Sequence, residues 1–272
     1  MTSGEPDWLA PATLDEALAV RADRGAGATV LAGGTFLGIM MNQGFLEPEA
    51  LLSLGGVREL DFIEVGESGE LRIGAMTSHR DVERSAIVRD GWPVLAYVFS
   101  LVASPRVRNQ ATVGGVLADA DYASDPPAVL AALGARVLLR SPRGERSVSV
   151  GELVLGFYDT CIEDDELLLE VRVPPAPVRA VYRKFRSRSR EDRPCVAVAA
   201  ADGPERLRVV VGAVAATPQE FPDVCELGSG AAEEIGRRYA ERIEPMSDSR
   251  GSAAYRRRVI AVEVRRALEV LR

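Results

Sequence analysis

The sequence predicts an α+β protein of two lobes, and three observations predict it. Segment 13–24 (TLDEALAVRADR) carries apolar residues at helical spacing; short β-branched runs recur between turn formers; and Pro174-Pro175-Ala176-Pro177 divides one pattern from a second that restarts with strands and ends in helices. The boundary predicted from that proline cluster separates residues 1–175 from a smaller two-layer α/β lobe at 176–272.

Taken in order, Leu14, Ala17, Leu18 and Val20 give segment 13–24 its amphipathic face, and Ala28–Leu31 reads as a buried strand running into Ala32-Gly33-Gly34-Thr35. A second apolar stretch, 36–41, follows at once. Strands are expected at 51–54 and 71–73, and a helical stretch at 81–102 broken around Gly91-Trp92-Pro93. Segment 104–115 (SPRVRNQATVGG) is too rich in turn formers and charge for a regular element. Asp125-Pro126-Pro127 opens a helix through Leu133, with proline in the first turn where its missing N–H costs nothing. Alternation at 137–139 and 147–150 around Pro142-Arg143-Gly144 predicts a hairpin, and a strand at 171–173 stops at the prolines. Beyond them, strands are expected at 196–201 and 207–215 and helices at 231–243 and 253–271.

Composition narrows the function. With 47% apolar and 27% charged residues the chain is that of a globular protein, and no apolar run approaches the roughly 20 residues of a membrane helix. The acidic, polar beginning has no signal-peptide core, so a cytoplasmic location is expected. A net charge of −7 argues against nucleic-acid binding. Cys161, Cys195 and Cys225 form no CxxC pair, which excludes a disulfide framework and a four-thiolate metal site. His79 is the single histidine; followed by Arg80, it reads as a surface or capping residue, and no His-rich metal site is possible. Any difficult chemistry must therefore come from an organic cofactor.

Two glycine pairs are candidates for holding one. Gly33-Gly34 follows a strand, where glycine permits positive φ and leaves amides open to a pyrophosphate; a plain tight turn is the alternative. The P-loop pattern is missing, and Gly25-Ala26-Gly27 precedes its strand and lacks a third glycine, so neither standard nucleotide fingerprint applies. Gly114-Gly115 forms the second pair, with Asp119, Asp121 and Asp125 beyond it as possible acceptors for sugar hydroxyls.

Together these segments resemble a known family. LAGGTFL at 31–37, LRIGAMTSHRDVE at 71–83, VRNQATVGG at 107–115 with Asp125-Pro126, ELLLEVRVP at 166–174, YRKFRSRSRED at 182–192 and SAAYRRRVIAVEVRRAL at 252–268 occur in the order found in the FAD-binding medium subunits of molybdenum hydroxylases, the carbon monoxide and xanthine dehydrogenase type. The resemblance implies a two-lobed FAD-binding fold of the vanillyl-alcohol oxidase type (sub-lobes about 1–57 and 58–175) followed by the C-terminal lobe. It implies non-covalent FAD, with Leu31, Ala32, Gly33, Gly34, Thr35, Phe36 and Leu37 forming the first FAD loop, in which Ala32, Gly33, Gly34 and Thr35 would hold the pyrophosphate, and Thr112, Gly114 and Gly115 the facing side. Asp125 would accept from sugar or ribityl hydroxyls, Leu168 would pack on the cofactor, and Lys184, the single lysine, would approach the flavin. No residue of this chain is implied in catalysis.

The resemblance also implies partners: a large subunit carrying molybdopterin and a small subunit carrying [2Fe-2S] clusters, whose electrons pass through FAD to NAD⁺, a quinone or oxygen. Phe36, Val116 and Asp119 depart from the family's usual polar residue, asparagine and histidine. Those departures leave open a cofactor-poor scaffold subunit, beside a self-standing flavin oxidoreductase.

Overall fold

The computed structural model describes residues 5–176, 179–186, 189, 192–203 and 206–271. Three sheets organise the chain. Asp7–Leu9, Ala50–Ser53 and Ala28–Leu31 form a small parallel sheet with Ala50–Ser53 in the middle. The expected first helix spans Leu14–Arg24 and begins where Thr13 accepts a hydrogen bond from the Glu16 amide. Its Ala17 and Leu18 meet Leu52 and Leu54 in the core of this sub-lobe.

The second sheet is antiparallel, in the order Ile63–Val65, Leu71–Gly74, Leu167–Val173, Arg136–Ser141, Gly144–Ser149. Its central strand explains how the sub-lobes adhere. Leu167 and Leu169 point into the core of the first sub-lobe, while Leu168, Val171 and Val173 join the larger core under helices Pro93–Ser100 and Pro126–Ala132. Alternate side chains of a strand face opposite ways, and a bulge between Leu168 and Glu170 shifts that alternation so that Val171 and Val173 fall on the side of Leu168; one strand thus serves two cores.

The third sheet, Arg179–Phe185, Val196–Asp202, Leu207–Gly212 and Gln219–Glu220, is antiparallel throughout. One face carries Val196, Val198 and Ala200 against helices Ala232–Arg242 and Ala253–Leu271. The other presents Ala197, Ala199 and Ala201 to the core of the first lobe. Burial on both faces accounts for the unbroken apolar run VAVAAA, and small alanines let the lobes approach closely.

Several expectations change. Segment 104–115 is not irregular: Ser104 and Thr112 cap two short helices, Pro105–Arg108 and Val113–Ala118. The stretch at 81–102 divides into His79–Arg84, Ala86–Gly91 and Pro93–Ser100, with Ser78 and Ser85 capping the first two. The strands at 7–9, 63–65 and 179–185 and the hairpin Val154–Gly156/Asp159–Thr160 lacked a sequence prediction, being short or mixed in charge. Among the described residues no helix is long and apolar enough to cross a membrane, and no cluster of His, Cys, Asp or Glu could hold a metal ion.

Candidate functional site

A cavity of about 370 Å³ lies where the two sub-lobes and the C-terminal sheet converge. Twelve of the thirteen residues expected there line it: Ala32 to Leu37 on one wall, Thr112, Gly114 and Gly115 on another, and Asp125, Leu168 and Lys184 beyond. Leu31 does not; its Cδ1 lies 3.1 Å from where a Cβ on Gly34 would stand, supporting the turn from beneath.

The two glycine turns are chemically unlike. In the first, Gly34 takes φ +66°, and the amides of Gly33, Gly34, Thr35, Phe36 and Leu37 bond no other described residue. The carbonyl of Gly34 then accepts from Gly38 as helix Leu37–Asn42 begins. Five successive uncommitted donors on a cavity wall are a cradle for an anion. In the second turn the amides are committed: Gly114 donates to the Ala75 carbonyl at 2.8 Å and Gly115 to Thr112 Oγ1 at 3.1 Å. Glycine is needed there for closeness instead, since a Cβ on Gly114 would stand 2.7 Å from that of Ala75. The turns meet directly, with Gly33 so close to the Gln110 carbonyl that a Cβ would come within 1.8 Å of its oxygen.

Asp125 and Lys184 form a buried pair, Nζ donating to Oδ2 at 2.9 Å, with side chains only 5% and 3% exposed. Tyr182 donates to Oδ1 at 2.6 Å, and Lys184 also donates to the Leu101 carbonyl. Both carboxylate oxygens are thus engaged by the strand Arg179–Phe185 of the second lobe. Burial raises the Asp125 pKa, opposed by the Lys184 charge.

Another part of the wall is acidic and aromatic. Phe36 stacks on Tyr158, ring centroids 5.5 Å apart and nearly coplanar at 12°, with Tyr158 held at φ +56°. Phe36 thus carries an aromatic contact between the first turn and the 154–160 hairpin. Asp121 pairs with Arg193 at 2.6 Å, while the Asp119 carboxyl has no hydrogen-bond partner among the described residues. Burial, then the neighbouring Asp121 charge, pushes the Asp119 pKa up to about 7.

His79 is neither a surface residue nor a cap. Ser78 caps that helix, and the imidazole is 1% exposed, edge-on to Phe99, with Nε2 3.2 Å from the Thr112 carbonyl. Burial pushes its pKa down to about 4. The two groups make opposing stability slopes. Between about 4 and 7 the native state holds an Asp119 proton that the unfolded chain releases, so stability falls as pH rises. Between 6.5 and about 4 the unfolded chain protonates histidine more readily, so stability falls as pH drops. Asp119→Asn is therefore expected to raise the melting temperature above pH 7, leave it unchanged near pH 4, and steepen the loss on acidification. Unfolding curves of both proteins across that range check this; parallel profiles refute the assignment.

Arg21 lines the cavity as well, and the sequence reading missed it. The available clue was its place on the apolar face of its helix, three and four residues after Leu18 and Ala17.

Comparison with known proteins places this arrangement. The model of the FAD-binding domain in molybdopterin dehydrogenase matches residues 2–176, and that of the carbon monoxide dehydrogenase flavoprotein C-terminal domain matches 180–271. The chain is 32% identical to the carbon monoxide dehydrogenase medium chain of Hydrogenophaga pseudoflava, covering 96% of this chain and 95% of that one. It is equally identical, 32%, to the nicotine 6-hydroxylase medium subunit of Paenarthrobacter nicotinovorans, covering 88% of each. Among solved structures, quinoline 2-oxidoreductase from Pseudomonas putida 86 superposes with a TM-score of 0.89 at 30% identity, over 98% of this chain and 97% of that one. The chain belongs to the FAD-binding medium subunits of the molybdenum hydroxylases, a family of oxidoreductases.

Proposed function

We propose that the cavity holds FAD non-covalently and that this subunit relays electrons from the iron–sulfur clusters of a small partner, fed by a large molybdopterin subunit, to an external acceptor: NAD⁺, a quinone or oxygen. The observation that carries the reading is the run of five uncommitted amides from Gly33 to Leu37. A diphosphate accepts from several N–H groups at once, and Gly34 at positive φ lets them converge. The flavin, when bound, supplies the conversion between single-electron donors and a two-electron acceptor.

The chain's own residues bind and orient. Gly33 to Leu37 would hold the diphosphate, and Ala32, Thr112, Gly114 and Gly115 would form the close wall. Leu168 would pack on the cofactor, and Lys184 with Asp125 would mark the flavin end. Because Asp125 balances Lys184 and has both oxygens engaged, the pair brings a dipole, not a full cation, to that end. Asp119 can hold a proton near neutral pH within the same cavity. The two relatives cited above are each 32% identical to this chain yet are named for carbon monoxide and for nicotine, which supports placing substrate choice in the large subunit.

Titrating FAD into flavin-stripped protein, followed by flavin fluorescence, tests the reading. FAD is expected to bind at least 100-fold more tightly than FMN, which lacks the diphosphate, an order of magnitude consistent with two or more charge-assisted bonds at ~1.5–3 kcal/mol each. Gly34→Val should leave a folded protein with little flavin. No FAD uptake by folded wild-type chain would favour the scaffold alternative.

A further inference from the structure

Arg21 is the cavity-lining cation that the fold leaves without an ion pair among the described residues. It projects from helix Leu14–Arg24, is 8% exposed, and borders the cavity beside Val30, Leu54 and Leu167. Nη1 donates to the carbonyls of Gly25 at 2.7 Å and Ala28 at 2.9 Å, which fixes the plane of the guanidinium. Nε is buried with no partner, and Nη2 bonds no other described residue. No described carboxylate lies within ion-pair distance of it. Asp164 and Asp165 act on it only through space, Asp165 being paired with Arg143, and Glu166, which also lines the cavity, is taken by Arg146 at 2.6 Å. Burying a guanidinium unpaired is costly, so a ligand that meets it accounts for the arrangement better than folding does.

The position selects the ligand group. Arg21 is pinned at Ala28, the start of the strand whose far end carries the amide run beginning at Gly33. The extended part of that strand, Ala28–Leu31, spans roughly 10 Å before the chain bends into the amide run, beyond the reach of a diphosphate held on those amides. The walls here are aliphatic, and a planar, weakly hydrated guanidinium stacks well on a flat heteroaromatic face. Resting on the flavin reading above, which puts the isoalloxazine toward Lys184, we propose that Arg21 is the adenine-binding residue: its guanidinium stacks on the purine of FAD and makes the adenosine half a determinant of affinity.

Four probes separate this from a structural role. FAD and ADP carry the purine; FMN and inorganic diphosphate do not. In Arg21→Met, dissociation constants for FAD and ADP are expected to rise about tenfold, while those for FMN and diphosphate stay unchanged. Arg21→Lys keeps a donor for the Gly25 and Ala28 carbonyls but loses the planar fork, and should fall between; it decides the matter should the methionine variant fail to fold. Unchanged FAD and ADP affinities in a folded variant overturn the proposal, and so does equal weakening of all four probes, the result of a loosened fold. Wild-type protein that takes up no FAD refutes the flavin reading instead, and the ADP and diphosphate pair still tests Arg21 on its own.

Discussion

Gly33→Ala is expected to abolish FAD retention and to lower stability by about 3 kcal/mol or more, the upper part of the range for forcing extra atoms into a packed site. A single added carbon would stand 1.8 Å from the Gln110 carbonyl oxygen and 2.7 Å from its carbon. Both contacts are with backbone, which cannot swing away as a long side chain would. Relief requires the two turns to separate, and that displaces the amide run from its opposing wall. The control is Gly38→Ala, one turn further along, where an added Cβ meets nothing within 4 Å and helix propensity favours alanine. Urea unfolding and flavin content of the two variants test this; equal stability for both would refute the close-approach argument.

Lys184→Met should cost about 3–5 kcal/mol, because it leaves the Asp125 carboxylate buried and uncompensated. The loss should appear as a lower urea midpoint and as weaker attachment of the second lobe, since Lys184 and Tyr182 reach from the C-terminal sheet to Asp125 and Leu101. Adding Asp125→Asn to Lys184→Met should restore part of the stability by removing the stranded charge. A Lys184→Met protein within about 1 kcal/mol of wild type would show that the pair contributes little, as for exposed pairs.

Much of this architecture was legible because its causes are local. The helix of segment 13–24, the strand before Gly33 and the apolar run at 196–201 follow from spacing and burial, and the glycine pairs mark the meeting turns. What the glycines do was less legible. Residues 112–115 read as a second donor loop, yet Thr112 is the cap of a helix and takes the Gly115 amide, while Ala75 takes that of Gly114. A threonine three positions before a glycine is an N-cap pattern that could have been weighed. Asp125 was expected to meet sugar hydroxyls; its partners lie 57 and 59 residues away, a separation no local pattern encodes. Strand 179–185 was hidden because charged residues that find partners inside the protein interrupt it, Arg183 pairing with Glu263 and Lys184 with Asp125, so the apolar alternation is broken. His79 shows the same effect in reverse: its burial depends on Phe99, distant in sequence and adjacent in space.

The chain's single lysine is the one sealed between the lobes. The surface therefore offers arginine in abundance and no ε-amine, so acylating reagents, amine-directed cross-linkers and lysine acetylation find no side chain to modify while the lobes stay closed. Each opening of the junction exposes that single ε-amine. Labelling of Lys184 thus counts excursions of that interface one molecule at a time, and the protein carries its own reporter of lobe separation without any introduced probe.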